Sequence, residues 1–294
     1  MSRDHDDGEA PRAAAPGPAL YVVGTPIGNL EDITLRALRI LRSVDLIACE
    51  DTRQTHKLLS HYEIRRPTVS YHEHNEMTRA PELILKLESG ASIALVTDAG
   101  TPAISDPGCR LISLAIRHHL PVVPVPGASA FLAALVASGL PADSFRFSGF
   151  LPPKRGARRA ALEQVKDSPR TQIFYEAPHR ILPALEDVVE VLGPRRHVVI
   201  AREVTKLYEE FLRGCAADLL EQVKARGELK GEITLLIGKA QEHPAAEPSP
   251  PNLRRRLEEV MAADNLDQKA ALKVIAKEFG ISKSAAYREL LRTK

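Results

Sequence analysis

Residues 92–108 read SIALVTDAGTPAISDPG, and this stretch indicates the fold class. Its first six residues form a short apolar run of the kind that fills a buried strand. The remainder is a loop rich in glycine and proline, with acids at Asp98 and Asp106, and a helical pattern begins at Gly108. A buried strand, a loop and a helix in that order predict an α/β protein whose ligands bind at the carboxyl ends of parallel strands.

The same alternation of strand and helix extends on both sides of this stretch. Helical apolar spacing separates further short strands, which we place at 20–23, 46–49, 68–70 and 122–125. Right-handed crossovers between such strands build an open parallel sheet. We therefore predict an N-terminal α/β domain over residues 19–126. Residues 1–18 are acidic and rich in proline, alanine and glycine, which indicates a disordered tail.

A different pattern begins after residue 126. Strands are predicted at 145–150, 171–175, 197–202, 209–213 and 232–237. The short turn between the third and fourth of these requires an antiparallel pair, so residues 127–240 are expected to form a second α/β domain with a mixed sheet. Four prolines mark residues 241–251 as a linker. Residues 252–294 are predicted to form a small helical tail, either a helix-turn-helix or a helical hairpin that packs on its own chain.

Composition narrows the possible functions. The 294 residues are 44% hydrophobic and 27% charged, with a net charge of +2, so any nucleic-acid binding must come from local patches. Aromatic residues make up only 4%, which argues against a stacking platform for single strands. The three scattered cysteines support neither a zinc site nor disulfides and favour a cytoplasmic protein. No apolar run reaches the length of a membrane span.

Three loops at predicted strand ends, residues 24–28, 98–102 and 126–130, are the candidates for ligand binding. The first has only Gly24 and Gly28, so the dinucleotide fingerprint is absent, and the chain has no P-loop motif. None of the three contains a basic residue, which disfavours a di- or triphosphate. A neutral or zwitterionic nucleoside held by backbone groups fits better. The alternative is that these loops are only tight turns.

Two acids in the second loop have structural alternatives. Asp98 could contact a ligand or serve in a helix cap or Asx turn. Asp106 precedes Pro-Gly and a helix, which is typical of an N-terminal cap.

Seven motifs, taken together, resemble those of one family. They are GTPIGNL, CEDTR, TDAGTPAISDPG, PVPGASA, FYEAPHR, AREVTKLYEE and KGEITLLI. In this order they resemble the motifs of the ribosomal RNA small subunit methyltransferase I family. Members of that family are 2′-O-methyltransferases that depend on S-adenosylmethionine (SAM), and they belong to the tetrapyrrole methylase superfamily. The resemblance covers about residues 19–240. It implies two α/β domains with SAM in the cleft between them, and a homodimer. The implied substrate is a cytidine 2′-hydroxyl in the decoding centre of 16S rRNA, within the small ribosomal subunit.

The resemblance also implies which residues bind the cofactor. Carried over motif by motif, they are Pro26, Asp98, Ala99, Gly100, Ile104, Ser129, Ala130, Glu176, Val204 and Ile233. No metal is expected, because SAM itself supplies the electrophile.

A basic segment, RFSGFLPPKRGARR at residues 146–159, carries five positive charges and no acid. Its two consecutive prolines predict a loop. We interpret it as a lid that contacts RNA phosphates through Lys154, Arg155, Arg158 and Arg159. A basic run after LPPK is also a feature of the resembled family. The alternative is a solvated charge run.

The residue that removes the hydroxyl proton cannot be chosen from the sequence. The candidates are Glu50, Asp51, His72, His74, Glu176, Glu203 and Lys206. Two rival functions stay open. One is a SAM methyltransferase acting on a tetrapyrrole-type small molecule. The other is a ligand-sensing DNA-binding regulator that docks through Lys283, Tyr287 and Arg288 of the tail.

Overall fold

The computed structural model describes residues 17–227 and 229–240 and, near the C-terminus, Leu257, Val260, Met261 and residues 267–278. The described residues before Gln241 form one compact unit, and those from Leu257 onward belong to a second. The predicted tail up to residue 16, the linker 241–251, and Lys283, Tyr287 and Arg288 lie outside the described residues.

The first sheet is parallel throughout, which confirms the prediction. Its strands, in chain order, are β1 (Leu20–Val23), β2 (Leu46–Cys49), β3 (Thr68–Ser70), β4 (Ile93–Val96) and β5 (Val122–Val125). Their order in the sheet is β3-β2-β4-β1-β5. Strands β4, β1 and β5 are therefore neighbours, so the three loops that follow them emerge side by side.

Helices cover both faces of this sheet, as a parallel sheet requires. They are α1 (Leu35–Ser43), α2 (Thr52–His61), α3 (Glu76–Glu88) and α4 (Cys109–Arg117). Successive residues of β1 pack into opposite cores: Leu20 joins the cluster that contains α3 and α4 residues, and Tyr21 joins the cluster that contains α1 residues. Helix α1 begins at a threonine cap, because the Thr34 hydroxyl accepts a hydrogen bond from the backbone of Ala37 at 3.1 Å.

The second sheet is mixed, also as predicted. Its strands are β6 (Phe145–Phe150), β7 (Thr171–Glu176), β8 (His197–Arg202), β9 (Glu210–Cys215) and β10 (Ile233–Ile237), ordered β6-β7-β10-β8-β9. Only β6 and β7 run parallel, and β8 and β9 form the expected antiparallel pair. The accompanying helices are α5 (Ala130–Ser138), α6 (Arg155–Glu163), α7 (Ile181–Leu192) and α8 (Ala216–Arg226).

The two halves share a hydrophobic cluster. Helices α6, α7 and α8 pack on one face of the second sheet, while α5 covers the other face with Ala134 and Leu135. Ile27, from the loop after β1, joins this second cluster together with Leu236 and Val204. The first loop is thus held against the second sheet.

The basic segment differs from the loop that its prolines predict. Strand β6 runs through Phe150 and helix α6 begins at Arg155, so only residues 151–154 connect them. Of the four predicted RNA-contacting residues, Lys154 is the N-cap and the three arginines lie on the helix. Ion pairs from Arg155 and Arg158 to Asp187 of α7 hold this end of the helix.

The described C-terminal residues include helix α9 (Gln268–Glu278). Its buried Ala271, Leu272 and Ile275 pack with Leu257 and Val260. Within the described parts of the chain, no helix is both long and apolar enough to cross a bilayer.

Candidate functional site

A cavity of about 360 Å³ lies between the strand-end loops of the first sheet and residues of the second. The first half lines it with Ile27, Ala99, Gly100, Thr101, Ile104, Ser105, Asp106, Ser129 and Ala130. The second half lines it with Phe150, Tyr175, Glu176, Ala177, Pro178, Val204 and residues 231–234. Its size is within the range of small-molecule sites.

Close backbone contacts hold the three loops together. A Cβ atom on Gly24 would lie 2.8 Å from Gly127 Cα, so glycine is required where the first loop crosses the third. Thr25 N donates to Gly100 O at 2.8 Å, and Gly100 N donates back to Thr25 O at 3.2 Å, which joins the first loop to the second. Gly100 has a φ of 84°, in the left-handed region that favours glycine. Gly24 and Gly127 thus serve loop packing, whereas Gly100 lines the cavity.

Most of the predicted cofactor-binding residues line this cavity. They are Ala99, Gly100, Ile104, Ser129, Ala130, Glu176, Val204 and Ile233. Pro26 and Asp98 are not among the described residues of its wall. Asp98 instead accepts a hydrogen bond from the backbone of Asp51 at 3.0 Å, which links the loops after β4 and β2.

Ion pairs connect the residues of the second half that form or adjoin the cavity wall. Glu176 is only 2% exposed and bonds to Arg180 at 2.6 Å and to the backbone of Ala177 at 2.8 Å. Its second carboxylate oxygen, Oε2, is buried and receives no hydrogen bond. Lys206 pairs with Glu203 at 2.8 Å and with Glu232 at 3.0 Å.

The turn that carries Lys206 is anchored to the first loop. The aliphatic part of the Lys206 side chain fills the space beside Gly28, where an added Cβ atom would lie 2.3 Å from Lys206 Cγ. Glu203 and Thr205, on the same turn, have φ values of 53° and 68°. Such left-handed non-glycine residues persist only where surrounding contacts hold them.

The chemistry of the wall fits SAM, a zwitterionic nucleoside whose sulfonium adds a further positive charge. The described lining residues include three carboxylates, Asp106, Glu176 and Glu232, and no arginine, lysine or histidine. The orphaned Oε2 atom of Glu176 is an acceptor for a donor that the protein does not provide. Apolar side chains such as Ile104 and Val204 suit the adenine ring.

A carboxylate cluster adjoins the cavity at the strand ends of the first sheet. Burial, reinforced by the charges of Glu50 and Asp98, raises the pKa of Asp106 to about 6. Burial and the charge of Asp98 also raise the pKa of Glu50. Asp51 behaves oppositely, because hydrogen bonds from Arg53 lower its pKa to about 2. The pKa of Asp106 and the pKa of Asp51 are therefore shifted in opposite directions.

Of the acid–base candidates proposed from the sequence, only Glu176 lines the cavity. His72 bonds to Asn75 and lies beside His74, with 6.0 Å between ring centroids. Asp106 is not among those candidates, because its sequence context predicts a helix cap. That interpretation is wrong, since Gly108 is the N-cap of α4 and no side chain caps the helix.

The basic residues of α6 are paired with acids of α7. Arg158 is buried and contacts Asp187, itself fully buried, at 2.7 Å. Arg155 bonds to Asp187 and to Glu190, both at 3.1 Å, and Arg159 bonds to Glu190 at 2.7 Å. Arg155 keeps 65% of its side chain exposed, whereas Arg158 keeps 5%. Arg158 therefore serves the packing of α6 against α7 and the ion pair between them.

Lys154 is the exception on this surface. It is exposed, and no carboxylate of the described chain pairs with it. Within the same described ranges, no three His, Cys, Asp or Glu side chains are grouped as a metal site would require.

Comparison with known proteins identifies the family. Residues 19–220 match the family model of the tetrapyrrole (corrin/porphyrin) methylases. Ribosomal RNA small subunit methyltransferase I of Mesorhizobium japonicum is 50% identical over 94% of this chain and 92% of its own length. The enzyme of the same name from Escherichia coli O157:H7 is 47% identical, over 92% and 94%.

Solved structures agree on the fold. Uroporphyrin-III C-methyltransferase from Thermus thermophilus, complexed with S-adenyl homocysteine, superposes with a TM-score of 0.53 at 20% identity, over 76% of this chain and 98% of that one. The low identity means that this likeness concerns architecture alone. Sequence and fold together show that the chain belongs to the ribosomal RNA small subunit methyltransferase I family, within the tetrapyrrole methylases.

Proposed function

We propose that this protein transfers a methyl group from SAM to the 2′-hydroxyl of a cytidine in the decoding centre of 16S rRNA. Family membership supports the coarser statement, SAM-dependent methylation of ribosomal RNA. The observation that carries the proposal is the composition of the cavity wall. Its described residues include three carboxylates and small residues of the strand-end loops, but no basic side chain. We further propose that the protein works in the cytoplasm as a homodimer on the small ribosomal subunit.

Bound SAM supplies an electrophilic methyl group, so the protein need only hold the partners and move a proton. In the proposal, Gly100, Ser129 and Ala130 present backbone groups to the cofactor, and Ile104 and Val204 enclose its adenine. In the same proposal, the ligand donates a hydrogen bond to the Oε2 atom of Glu176, which has no partner in the protein.

The RNA-facing surface in this proposal is the N-terminal end of α6. The buried pair of Arg158 and Asp187 adds no net charge, which leaves Lys154, Arg155 and Arg159 with three positive charges against the one negative charge of Glu190. The pairs hold Arg155 and Arg159 in place while leaving them partly exposed. A fixed surface with a surplus of positive charge favours contacts with phosphates.

The test is methyl transfer from isotopically labelled SAM to naked 16S rRNA and to small ribosomal subunits, followed by mapping of the modified nucleotide. Label on a cytidine ribose of either substrate, at a decoding-centre position, supports the proposal. Label on a base, or no label on either RNA substrate, overturns it.

Two single charge-reversal variants test the RNA surface in the same assay. Lys154→Glu is expected to reduce transfer to RNA. The matched control is Lys166→Glu, since Lys166 follows the other end of α6 and already pairs with Glu163 at 3.1 Å. Equal losses in both variants would contradict the assignment of the α6 N-terminus.

A further inference from the structure

The proposed reaction needs a group that accepts the hydroxyl proton, and the cavity wall offers few. Its titratable described residues are Asp106, Tyr175, Glu176 and Glu232. This inference rests on the proposed function, and it concerns which of the four acts.

Three of them are committed elsewhere. Arg180 and the backbone of Ala177 bond to Oε1 of Glu176, and its buried Oε2 is assigned above to a hydrogen bond from the cofactor. Glu232 is 76% exposed and holds the ammonium of Lys206. Burial raises the pKa of the Tyr175 phenol above its usual 10, so it keeps its proton at neutral pH.

Asp106 is different in its surroundings. It is half-buried, lines the cavity, and receives no hydrogen bond or ion pair from the described chain. The charged groups that face it are carboxylates, Glu50 after β2 and Asp98 after β4, and Tyr175 of β7 adds a neutral phenol. Its oxygens are therefore free to accept a proton.

The backbone around Asp106 is held in an uncommon conformation. Ala103 and Ser105 have φ values of 69° and 62°, in the left-handed region that non-glycine residues seldom occupy. Ala103 N donates to Pro107 O at 3.2 Å and closes the loop. Backbone strain of this kind concentrates at functional sites, where the surrounding structure maintains it.

We propose that Asp106 is the catalytic residue that accepts the proton of the acceptor 2′-hydroxyl. The hydroxyl oxygen forms a bond to the methyl carbon while the carbon–sulfur bond breaks. The electron pair of that bond stays on sulfur, and the hydroxyl proton goes to a carboxylate oxygen of Asp106. The positive charge of the sulfonium and the negative charge of the carboxylate are both neutralised, and Asp106 then releases its proton to solvent.

Its raised pKa supports this role. A carboxyl that titrates at about pH 6 is mostly ionised at neutral pH, yet is a stronger base than an ordinary aspartate.

The first test is Asp106→Asn, with Asp106→Glu as the conservative variant. Single-turnover transfer to RNA should fall by about 100-fold or more in Asp106→Asn and recover in part in Asp106→Glu. Binding of S-adenosylhomocysteine, the demethylated cofactor, should change by no more than about threefold in calorimetry. A transfer rate in Asp106→Asn close to that of the unmodified protein, or loss of S-adenosylhomocysteine binding, would overturn the assignment.

The second test is Glu50→Gln, which removes a charge that raises the pKa of Asp106 without touching the cavity wall. The acid limb of the pH–rate profile should then move to lower pH, which a purely structural role of Asp106 does not predict. An unmoved limb overturns the proposal. If the unmodified protein methylates no RNA at all, the proposed function fails instead, so the two failures are distinguishable.

Discussion

Replacing Asp106 with asparagine should stabilise the ligand-free protein at pH 8 and have little effect near pH 4. Burial, followed by the charges of Glu50 and Asp98, raises the pKa of this carboxyl from 3.8 to about 6 in the folded state. The folded protein therefore binds this proton more tightly than the unfolded chain does. The resulting stabilisation is complete below about pH 4 and is lost as the pH rises through about 6. Asparagine is neutral at every pH and does not incur that loss.

The size of the effect follows from the pKa shift. A shift from 3.8 to about 6 corresponds to about 3 kcal/mol at 1.36 kcal/mol per unit. Asp106 is only half-buried, so solvent screening reduces this to roughly 1–2 kcal/mol. For a unit of this size, the melting temperature should rise by roughly 2–8 °C at pH 8.

Thermal unfolding of both proteins between pH 4.5 and 8 measures this difference. The matched control is Asp51→Asn, which keeps the N-cap of α2 but removes a charge whose pKa Arg53 lowers to about 2. The ionised Asp51 carboxylate stabilises the folded protein above about pH 4. Asp51→Asn should therefore be no more stable than the unmodified protein, and the difference in stability between the two should stay constant over this pH range. An equally constant offset for Asp106→Asn, or destabilisation at pH 8, would refute the reasoning.

Four further outcomes are expected. Gly24→Ala should lower the free energy of unfolding by about 1–3 kcal/mol and weaken S-adenosylhomocysteine binding, because its Cβ would lie 2.8 Å from the third loop. The control Gly156→Ala places its Cβ where no atom lies within 4 Å, so it should be neutral or stabilising in the same denaturation assay. Asp187→Ala should cost about 3–5 kcal/mol in urea unfolding, since it leaves Arg158 buried without its carboxylate, and a cost of the size seen for a surface pair would contradict this. Lys154→Glu should flatten the log–log salt dependence of RNA affinity by about one unit or more and spare S-adenosylhomocysteine binding, so an unchanged slope would mean that this lysine is merely solvated. A chelator should leave S-adenosylhomocysteine affinity unchanged in calorimetry, and a loss would indicate a metal requirement.

Local patterns in the sequence were enough to predict both sheets. Strand runs such as 93–96 and the short turn between β8 and β9 specify the parallel and antiparallel pairings, because strand periodicity and connection length act between near neighbours. The loops at strand ends were predictable for the same reason. The carboxyl ends of parallel strands meet at one edge of the sheet, so their residues were expected to share a site.

The roles of individual side chains depended on partners distant in the chain. Arg158 belonged to a basic run in sequence, but helix packing places it on Asp187, 29 residues away. Asp106 looked like a helix cap, but the tertiary fold leaves its carboxyl at the cavity beside Glu50 and Asp98. Patterns among near neighbours specify the two sheets and the edge where the candidate site lies. The folded chain sets which charges are neutralised at that edge and which stay free, because burial and ion pairing depend on contacts between residues far apart in the chain.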